Sequence, residues 1–310
     1  MNEIKILPAY DDGVFKAIFT KPESKVALLD IIRAFTGIPV IDAEVKNNER
    51  SIENVGDKHI RFDINCKTSD GKLIDIEMQA SSMSGDSINN AHEAIRERSV
   101  YYEAMLHSSQ ERPRLYKDQV QSIQLMICNY TVFPDDNILR RFYFTDETGN
   151  ILSKSMCIIF AELTKIDVNK PIHDMTDLEE WAFYLRYSNN PKYQKAIETL
   201  RGEKEAFRMA YNTQIHVSQD EKAQAYYMSR LKYELDEQNR INTWEREKQE
   251  TFRKALDLGR NEGRNEGIKT EKFTTAYEML SDGVPIIKIT KYTGLTESEI
   301  ESLKNNPPKQ

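Results

Sequence analysis

Residues 59–80 read HIRFDINCKTSDGKLIDIEMQA, and their alternating pattern is the strongest structural signal in the chain. Apolar and polar residues alternate through His59–Lys67 and again through Lys72–Ala80, which is typical of two half-buried β-strands. Ser69-Asp70-Gly71 lies between them, and these residue types favour a tight turn. The sequence therefore predicts an antiparallel β-hairpin.

A hairpin centred on Asp70 pairs Asp63 with Glu77 and Asn65 with Asp75. Side chains alternate between the two faces of a strand, so a shift of one residue would turn every apolar side chain outward. One face is uniformly apolar and predicts the side that packs on the core: Phe62, Ile64, Cys66, Ile74, Ile76 and Met78. The opposite face collects Asp63, Asp75, Glu77 and Gln79.

Two opposed carboxylates on neighbouring strands have two interpretations. Like charges whose Cβ atoms are about 4.5–5.5 Å apart destabilise a sheet, and a bound cation would reverse that cost. Mg²⁺ prefers oxygen ligands and often binds one or two protein carboxylates, with water and substrate phosphate as its other ligands. The pattern alone also fits the solvated outer face of an antiparallel sheet. Asp75 beside Glu77 is then either a ligand of a second ion or simply exposed.

Helices and strands alternate on both sides of the hairpin, which predicts an α/β domain. Residues 12–37 contain two helical stretches, FKAIF and SKVALLDIIRAF, which end before Pro39. Residues 86–108 also have a helical pattern. Further strands are predicted at Val40–Lys46, Ser122–Tyr130, Leu139–Thr145 and Met156–Leu163.

The chain is helical in pattern from about residue 175 onward. Short packed helices are predicted at Leu178–Tyr187, Lys192–Leu200 and Glu203–Tyr211. Residues 219–258 form one long, highly charged segment that lacks glycine and proline, the residues that most often break helices. This segment predicts a solvated or self-associating helix.

A four-residue repeat, GRNEGRNEG at residues 259–267, follows the charged segment. Each glycine inside a helix costs roughly 1 kcal/mol relative to alanine, so the repeat predicts a flexible joint or a weak coil. A close helix contact is the alternative. Residues 271–304 predict a small helix-turn-helix-like unit. Its last helix begins with Thr296 and Glu299, which have the spacing of a capping box.

These patterns divide the chain into four parts. We expect an α/β core over residues 1–170 and a helical extension with the long charged helix over residues 171–258. We expect the glycine repeat to act as a linker over residues 259–270. The helix-turn-helix-like tail then occupies residues 271–310.

Composition limits the classes of protein to which the chain can belong. The 43 basic and 50 acidic residues give a net charge of −7, so no global field favours binding to nucleic acid. Cys66, Cys128 and Cys157 show no spacing typical of a zinc site or a disulfide framework. There is no signal-peptide pattern and no apolar run that would span a membrane. Together these features predict a soluble cytoplasmic protein.

Several short motifs occur in an order that is shared with a known family: DGVFKAIF at residues 12–19, DK at 57–58, RFD at 61–63, IEMQ at 76–79 and RSVYY at 98–102. In this order and spacing the chain resembles the Rpn family of recombination-promoting nucleases, also described as PD-(D/E)XK nuclease family putative transposases. The similarity covers residues 9–165, with a looser similarity in the tail. It implies a PD-(D/E)XK restriction-endonuclease-like core, with a mixed sheet flanked by helices, followed by an all-α C-terminal region.

The resemblance also implies roles for individual residues. Asp63 and Glu77 correspond to the metal ligands, and Gln79 occupies the position of the motif's catalytic lysine. The amide of Gln79 can orient a water molecule but carries no charge. Asp12 and Lys16 lie near the site in related folds and are candidate catalytic residues. The alternative for this pair is an ordinary i,i+4 ion pair on the surface.

Three further residues are candidates for contact with a substrate phosphate: Arg61, Arg98 and Tyr102. Arg98 and Tyr102 have i,i+4 spacing, and bracing of the sheet is the alternative for them. The resemblance implies a Mg²⁺-dependent DNA endonuclease, with Mn²⁺ as a substitute, that acts in recombination, mobile-element or defence processes. DNA is the expected partner, and the long charged helix favours a homo-oligomer. The alternative is a catalytically weak nuclease fold that serves as a DNA-binding or interaction module.

Overall fold

The structure, a computed structural model, describes residues 5–46, 63–81, 88–111 and 115–304, and the elements named here belong to these ranges. The strands are β1 (Ala43–Val45), β2 (Ile64–Thr68), β3 (Leu73–Gln79), β4 (Ser122–Cys128), β5 (Leu139–Thr145) and β6 (Ile151–Glu162). The helices are α1 (Asp12–Thr20), α2 (Lys25–Thr36), α3 (Ile88–Ser108), α4 (Asp177–Tyr187), α5 (Gln194–Glu203), α6 (Glu205–Ser218), α7 (Glu221–Ser281), α8 (Ile286–Thr293) and α9 (Glu297–Ser302). Residues 57–62 lie outside the described residues. They contain the DK motif, the first two residues of the RFD motif and the beginning of the predicted first strand.

The strands form one mixed sheet in the order β1-β2-β3-β4-β6-β5. β3 pairs with β4 in parallel, as β4 does with β6, while the other neighbours are antiparallel. The hairpin has the predicted register, because Asn65 lies opposite Asp75 and Ile64 lies opposite Ile76. Gly71 in the turn has a φ of 89°, which glycine adopts without strain. The predicted α/β class and mixed sheet are thus confirmed.

Most of the hairpin is buried on both faces, although Lys67 is exposed. Its apolar face, with Ile64 and Ile76, belongs to one hydrophobic core with side chains of α1 and α2. Helix α3 packs on the opposite face of the sheet, where Ile95 joins a cluster with Met126. The interpretation of the polar hairpin face as a solvated surface is therefore wrong for Asp75 and Glu77, and Asp75 is fully buried instead of exposed.

Helices α4, α5 and α6 share the core of α1 and α2. Trp181 is fully buried, and its ring centroid lies 5.5 Å from that of Phe19 and 4.4 Å from that of Phe207. Its indole Nε1 donates a hydrogen bond to Asp30 Oδ2 at 2.9 Å. The aromatic side chains of the C-terminal helices thus complete the hydrophobic core that begins with the first helix.

The structure divides into two compact units, residues 1–238 and residues 239–310. The expected boundary at residue 170 lies inside the first unit, since the helices that follow it contribute to the same core. A pattern of short amphipathic helices does not reveal whether they cover their own core or an existing one. Independent folding of residues 1–170 is therefore not expected from this arrangement.

Helix α7 continues without interruption through the glycine repeat at residues 259–267, so the prediction of a joint or weak coil there is wrong. A methyl group added at Gly259, Gly263 or Gly267 would meet no atom within 4 Å among the described residues. Among the described residues, these glycines therefore do not mediate close packing against another helix. Leucine, alanine, arginine and glutamate around the repeat have high helix propensity, and helix formation is cooperative, which offsets about 1 kcal/mol per glycine.

The tail contains the predicted small helical unit. Thr296 Oγ1 accepts a hydrogen bond from the N–H of Glu299, and the Glu299 carboxylate accepts one from the N–H of Thr296, so the predicted capping box is present. A separate small hydrophobic cluster consists of Ala276, Ile289, Leu295, Ile300 and Leu303. In the described part of the chain, no helix is both long enough and apolar enough to cross a membrane.

Candidate active site

Asp63 and Glu77 lie side by side, as the hairpin register requires. Glu77 belongs to β3, and Asp63 directly precedes β2. The backbone N–H of Asp63 donates to Glu77 Oε1 at 3.2 Å, and the N–H of Met78 donates to Asp63 Oδ2 at 3.1 Å. These bonds fix the two carboxylates against the strands.

Helix α1 brings a lysine to this pair of carboxylates. Asp11 caps the helix by accepting hydrogen bonds from two backbone N–H groups of the first turn at 3.1 and 3.3 Å. Lys16 Nζ lies 3.0 Å from Asp12 Oδ1 and 2.9 Å from Asp63 Oδ1. The i,i+4 ion pair on α1 is therefore present, and Lys16 in addition contacts a hairpin carboxylate.

Helix α3 and the end of β3 supply polar contacts to Glu77. Arg98 Nη2 lies 3.3 Å from Glu77 Oε2, and Gln79 Nε2 donates to the same oxygen at 3.4 Å. The guanidinium carbon of Arg98 lies 4.9 Å from the centroid of the Tyr102 ring. Arg98 and Gln79 thus touch the carboxylate pair, while Tyr102 supports Arg98. The remaining candidate, Arg61, lies outside the described residues.

An open cavity of about 270 Å³ lies beside these groups. Its lining consists of Asp12, Asp63, Glu77, Met78, Gln79, Ala80, Ser81, Arg98, Arg230 and Glu234. No group of three or more His, Cys, Asp or Glu side chains within the described ranges is arranged to hold a metal ion. A metal at this cavity would have Asp63 and Glu77 as its protein ligands. Two protein ligands are sufficient for Mg²⁺ when water and phosphate supply its other ligands.

Burial raises the pKa of both carboxyl groups, and a neighbouring carboxylate adds to each rise, Asp63 in the case of Glu77 and Asp12 in the case of Asp63. Burial is the largest cause for Glu77, whose pKa is raised to about 8, and the neighbouring Asp63 adds to the rise. Burial also raises the pKa of Asp63, although its hydrogen bond with Lys16 opposes the change. Such shifts indicate that burial and repulsion outweigh the cationic neighbours and disfavour the charged form of the pair. A divalent cation would relieve this imbalance.

A second group of polar side chains is buried on the α3 side of the sheet. Gln124 Nε2 donates to Asp75 Oδ2 at 2.8 Å, and the hydroxyl of Ser122 donates to Glu103. All four side chains are buried. Burial raises the pKa of Asp75 well above its usual range, and repulsion by Glu77 adds to the effect. Asp75 is therefore part of the sheet interior and does not line the cavity.

Glu103→Gln should flatten the pH dependence of folding stability. Burial raises the pKa of Glu103 from 4.5 to about 8, so the folded protein keeps a proton that the unfolded chain releases between these values. Stability therefore falls as the pH rises from 4.5 toward 8. Urea unfolding at pH 5 and pH 8 should show a smaller loss in the variant, by on the order of a few kcal/mol. Glu93→Gln, an exposed position on α3, should match the wild type, and an unchanged pH dependence in Glu103→Gln would refute the prediction.

The structure adds two cavity residues that the sequence did not single out. Arg230 and Glu234 of α7 line the cavity, and Arg230 Nη1 lies 3.4 Å from Asp11 Oδ2. In the sequence both residues belong to a long run of charged side chains. Nothing in that pattern distinguishes the helical turn that meets the site from the turns that face solvent.

Comparison with known proteins places the chain in a family. It matches the model of the PD-(D/E)XK nuclease family transposase over residues 9–244, which is more than half of its length. No curated protein and no solved structure matches the chain. The matched range includes the hairpin, α1, α3 and the part of α7 that carries Arg230.

Proposed function

The chain belongs to the PD-(D/E)XK nuclease family of transposases, and from this premise we propose that it is an endonuclease that hydrolyses DNA phosphodiester bonds with a divalent cation. The observation that supports the proposal is the pairing of Asp63 and Glu77 at one cavity. Lys16 lies 2.9 Å from the first carboxylate, and Arg98 lies 3.3 Å from the second. Carboxylates and cations placed together in this way suit an anionic phosphodiester and a metal ion.

Asp63 and Glu77 would hold the cation. Their hard oxygen atoms favour Mg²⁺, with Mn²⁺ as a substitute. When bound, the cation would polarise the phosphoryl group and lower the pKa of a bound water molecule. The hydrogen bonds that place both carboxylates side by side at one cavity support this assignment.

The neighbouring side chains have roles that follow from their contacts. Lys16, oriented by Asp12, supplies a positive charge where the motif's lysine is replaced by Gln79. The amide of Gln79 orients a water molecule. Arg98 offers its remaining N–H donors to a phosphate oxygen, and the ring of Tyr102 supports its guanidinium.

DNA is the proposed partner, and self-association through the charged helix α7 is proposed for the same protein. A role in recombination, mobile-element or defence processes is consistent with its family. A second candidate function is a DNA-binding or interaction module with a weak active site. Gln79 favours this second function, because a neutral amide stands where the motif has a lysine, and so does the net charge of −7.

Incubation of the purified chain with supercoiled plasmid tests the proposal. We expect conversion to nicked and linear forms with Mg²⁺ or Mn²⁺, and no conversion with EDTA. A protein that binds the plasmid yet leaves it supercoiled with either metal would favour the second candidate function. Cleavage that continues in EDTA would show that the reaction does not depend on a divalent cation.

Gln79→Lys should preserve the cleavage rate or raise it by up to about a hundredfold, because a charged group would replace an amide beside Glu77. Gln79→Met has a similar size but no polar group, so it should lower the rate. The measurement is the initial rate of plasmid nicking, with circular dichroism as a check of folding. A folded but inactive Gln79→Lys variant would show that the site requires a neutral amide.

A further inference from the structure

Arg230 connects helix α7 with the candidate active site. It lines the same cavity as Asp63 and Glu77, and its side chain is 25% exposed. The residue belongs to the first compact unit, residues 1–238. The cavity is therefore completed by a helix that follows the sheet and its covering helices in the chain.

Two carboxylates lie within ion-pair distance of the guanidinium of Arg230. Its Nη1 lies 3.4 Å from Asp11 Oδ2, and its Nε lies 3.3 Å from Glu234 Oε1. Asp11 is almost fully buried and uses its other oxygen to cap α1. A guanidinium has five N–H donors in a rigid fork. Among the described residues, the shortest contacts involve Nε and Nη1, which leaves the N–H donors of Nη2 for a ligand.

The carboxylates that line the cavity repel an anionic ligand such as a phosphate, so binding of a phosphate requires a positively charged side chain there. These carboxylates belong to Asp12, Asp63, Glu77 and Glu234. Two arginines are among the lining residues. Arg98 pairs with Glu77 of the hairpin, and Arg230 pairs with Asp11 and Glu234, which lie outside the hairpin. A guanidinium binds phosphate oxygens through two parallel hydrogen bonds.

We propose that Arg230 binds a phosphate group of the nucleic-acid strand that occupies the candidate active site. This inference rests on the proposed function, because it assumes that the cavity receives a phosphodiester. It extends the candidate active site to α7, a helix that contains neither the hairpin motif nor the α1 motif. The competing role is support alone, in which Arg230 only neutralises Asp11 and so keeps α1 and Lys16 in place.

The salt dependence of DNA binding separates these roles. Each phosphate contact releases counterions, so the plot of log K against log salt concentration has a slope of about −0.9 per phosphate neutralised on duplex DNA. A supporting residue that does not touch DNA leaves this slope unchanged. A residue that contacts a phosphate reduces its magnitude by about one when the charge is removed.

The experiment measures binding of a short fluorescent DNA duplex to the full chain by anisotropy, over about 50–200 mM KCl. Ca²⁺ replaces Mg²⁺, and a gel verifies that the duplex stays intact. Arg230→Gln removes the charge. Asp11→Asn/Arg230→Gln removes the buried carboxylate as well, so it keeps a capping side chain, preserves the net charge and avoids an unpaired buried acid. Lys232→Ala, at an exposed position two residues along α7, is the control.

We expect the slope to fall in magnitude by about one in both Arg230 variants and to stay at the wild-type value in Lys232→Ala. An unchanged slope in a folded Arg230→Gln or in the folded double variant would overturn the inference. So would the absence of salt-dependent DNA binding by the wild type. Plasmid cleavage is measured separately. A slope change in the Arg230 variants without any cleavage by the wild type would contradict the proposed hydrolysis and support the phosphate contact. Cleavage by the wild type with an unchanged slope in the variants would support hydrolysis and contradict the phosphate contact.

Discussion

Glu77→Gln and Asp63→Asn should each reduce plasmid cleavage by at least about a hundredfold. A bound metal contributes several kcal/mol to a phosphoryl transition state, and about 1.4 kcal/mol corresponds to a tenfold change in rate. Removing one of the two protein ligands should therefore lower the cleavage rate by at least two factors of ten. Folding should survive, because each substitution keeps the side-chain shape and removes a carboxyl group whose charged form is disfavoured by burial. In metal-free buffer we expect an unfolding temperature equal to or above that of the wild type.

Glu97→Gln is the matched control for these variants. Glu97 is an exposed glutamate of α3 and directly precedes Arg98 in the chain. Its substitution should leave cleavage unchanged. Cleavage that persists in a double variant of Asp63 and Glu77 would show that other residues hold the ion.

Trp181→Ala should lower the free energy of unfolding by about 3–5 kcal/mol, the usual cost of removing a large aromatic side chain from a core. That is a large part of the roughly 5–15 kcal/mol that stabilises a typical protein. Trp181 is fully buried against Phe19 and Phe207, and its N–H donates to Asp30. Alanine would leave a cavity and remove the donor to Asp30. Urea unfolding followed by circular dichroism measures the loss.

The other tryptophan of the chain provides the control for this substitution. Trp244 lies on α7 and is 57% exposed, so Trp244→Ala should change the free energy of unfolding by less than about 0.5 kcal/mol. A chain that ends at residue 170 should fail to fold, because it lacks the aromatic side chains of α4 and α6. Equal urea midpoints for the two tryptophan variants, or cooperative unfolding of residues 1–170, would contradict the shared core.

The hairpin could be predicted from the sequence because its information is local. Two strands of period two, each with one uniformly apolar face, and the turn at Asp70-Gly71 allow few registers. The register follows from these features and brings Asp63 beside Glu77, in agreement with the hydrogen bond between them. The position of Lys16 near this pair came from resemblance to a family, since helix periodicity alone gives only its ion pair with Asp12.

The burial of the polar hairpin face could not be predicted in the same way. Helix α3, which covers it, is rich in charged and polar residues, and two of its buried side chains are themselves polar. Ser99 and Glu103 are each 1% exposed. Hydrophobic periodicity detects a helix that covers apolar surface, but it does not detect one that meets Gln124 and Asp75 through buried polar groups.

Long-range contacts account for the other differences. Arg230 meets Asp11, which lies near the start of the chain, and no pattern within the charged helix marks that position. The prediction of a flexible joint at the glycine repeat rests only on the low helix propensity of each glycine. In the structure the repeat lies within a helix of 61 residues, and the cooperativity of that helix outweighs the local cost.

Binding of Mn²⁺ to the metal-free protein provides the sharpest test of the Asp63–Glu77 pair, because it requires neither DNA nor turnover. Isothermal titration calorimetry should show binding of one ion per chain to the wild type and to Glu97→Gln. In Asp63→Asn and in Glu77→Gln the affinity should fall at least about tenfold, since even residues that only orient metal ligands affect affinity by that much. Wild-type affinity for Mn²⁺ in both of these variants would contradict the assignment of the pair as the metal site.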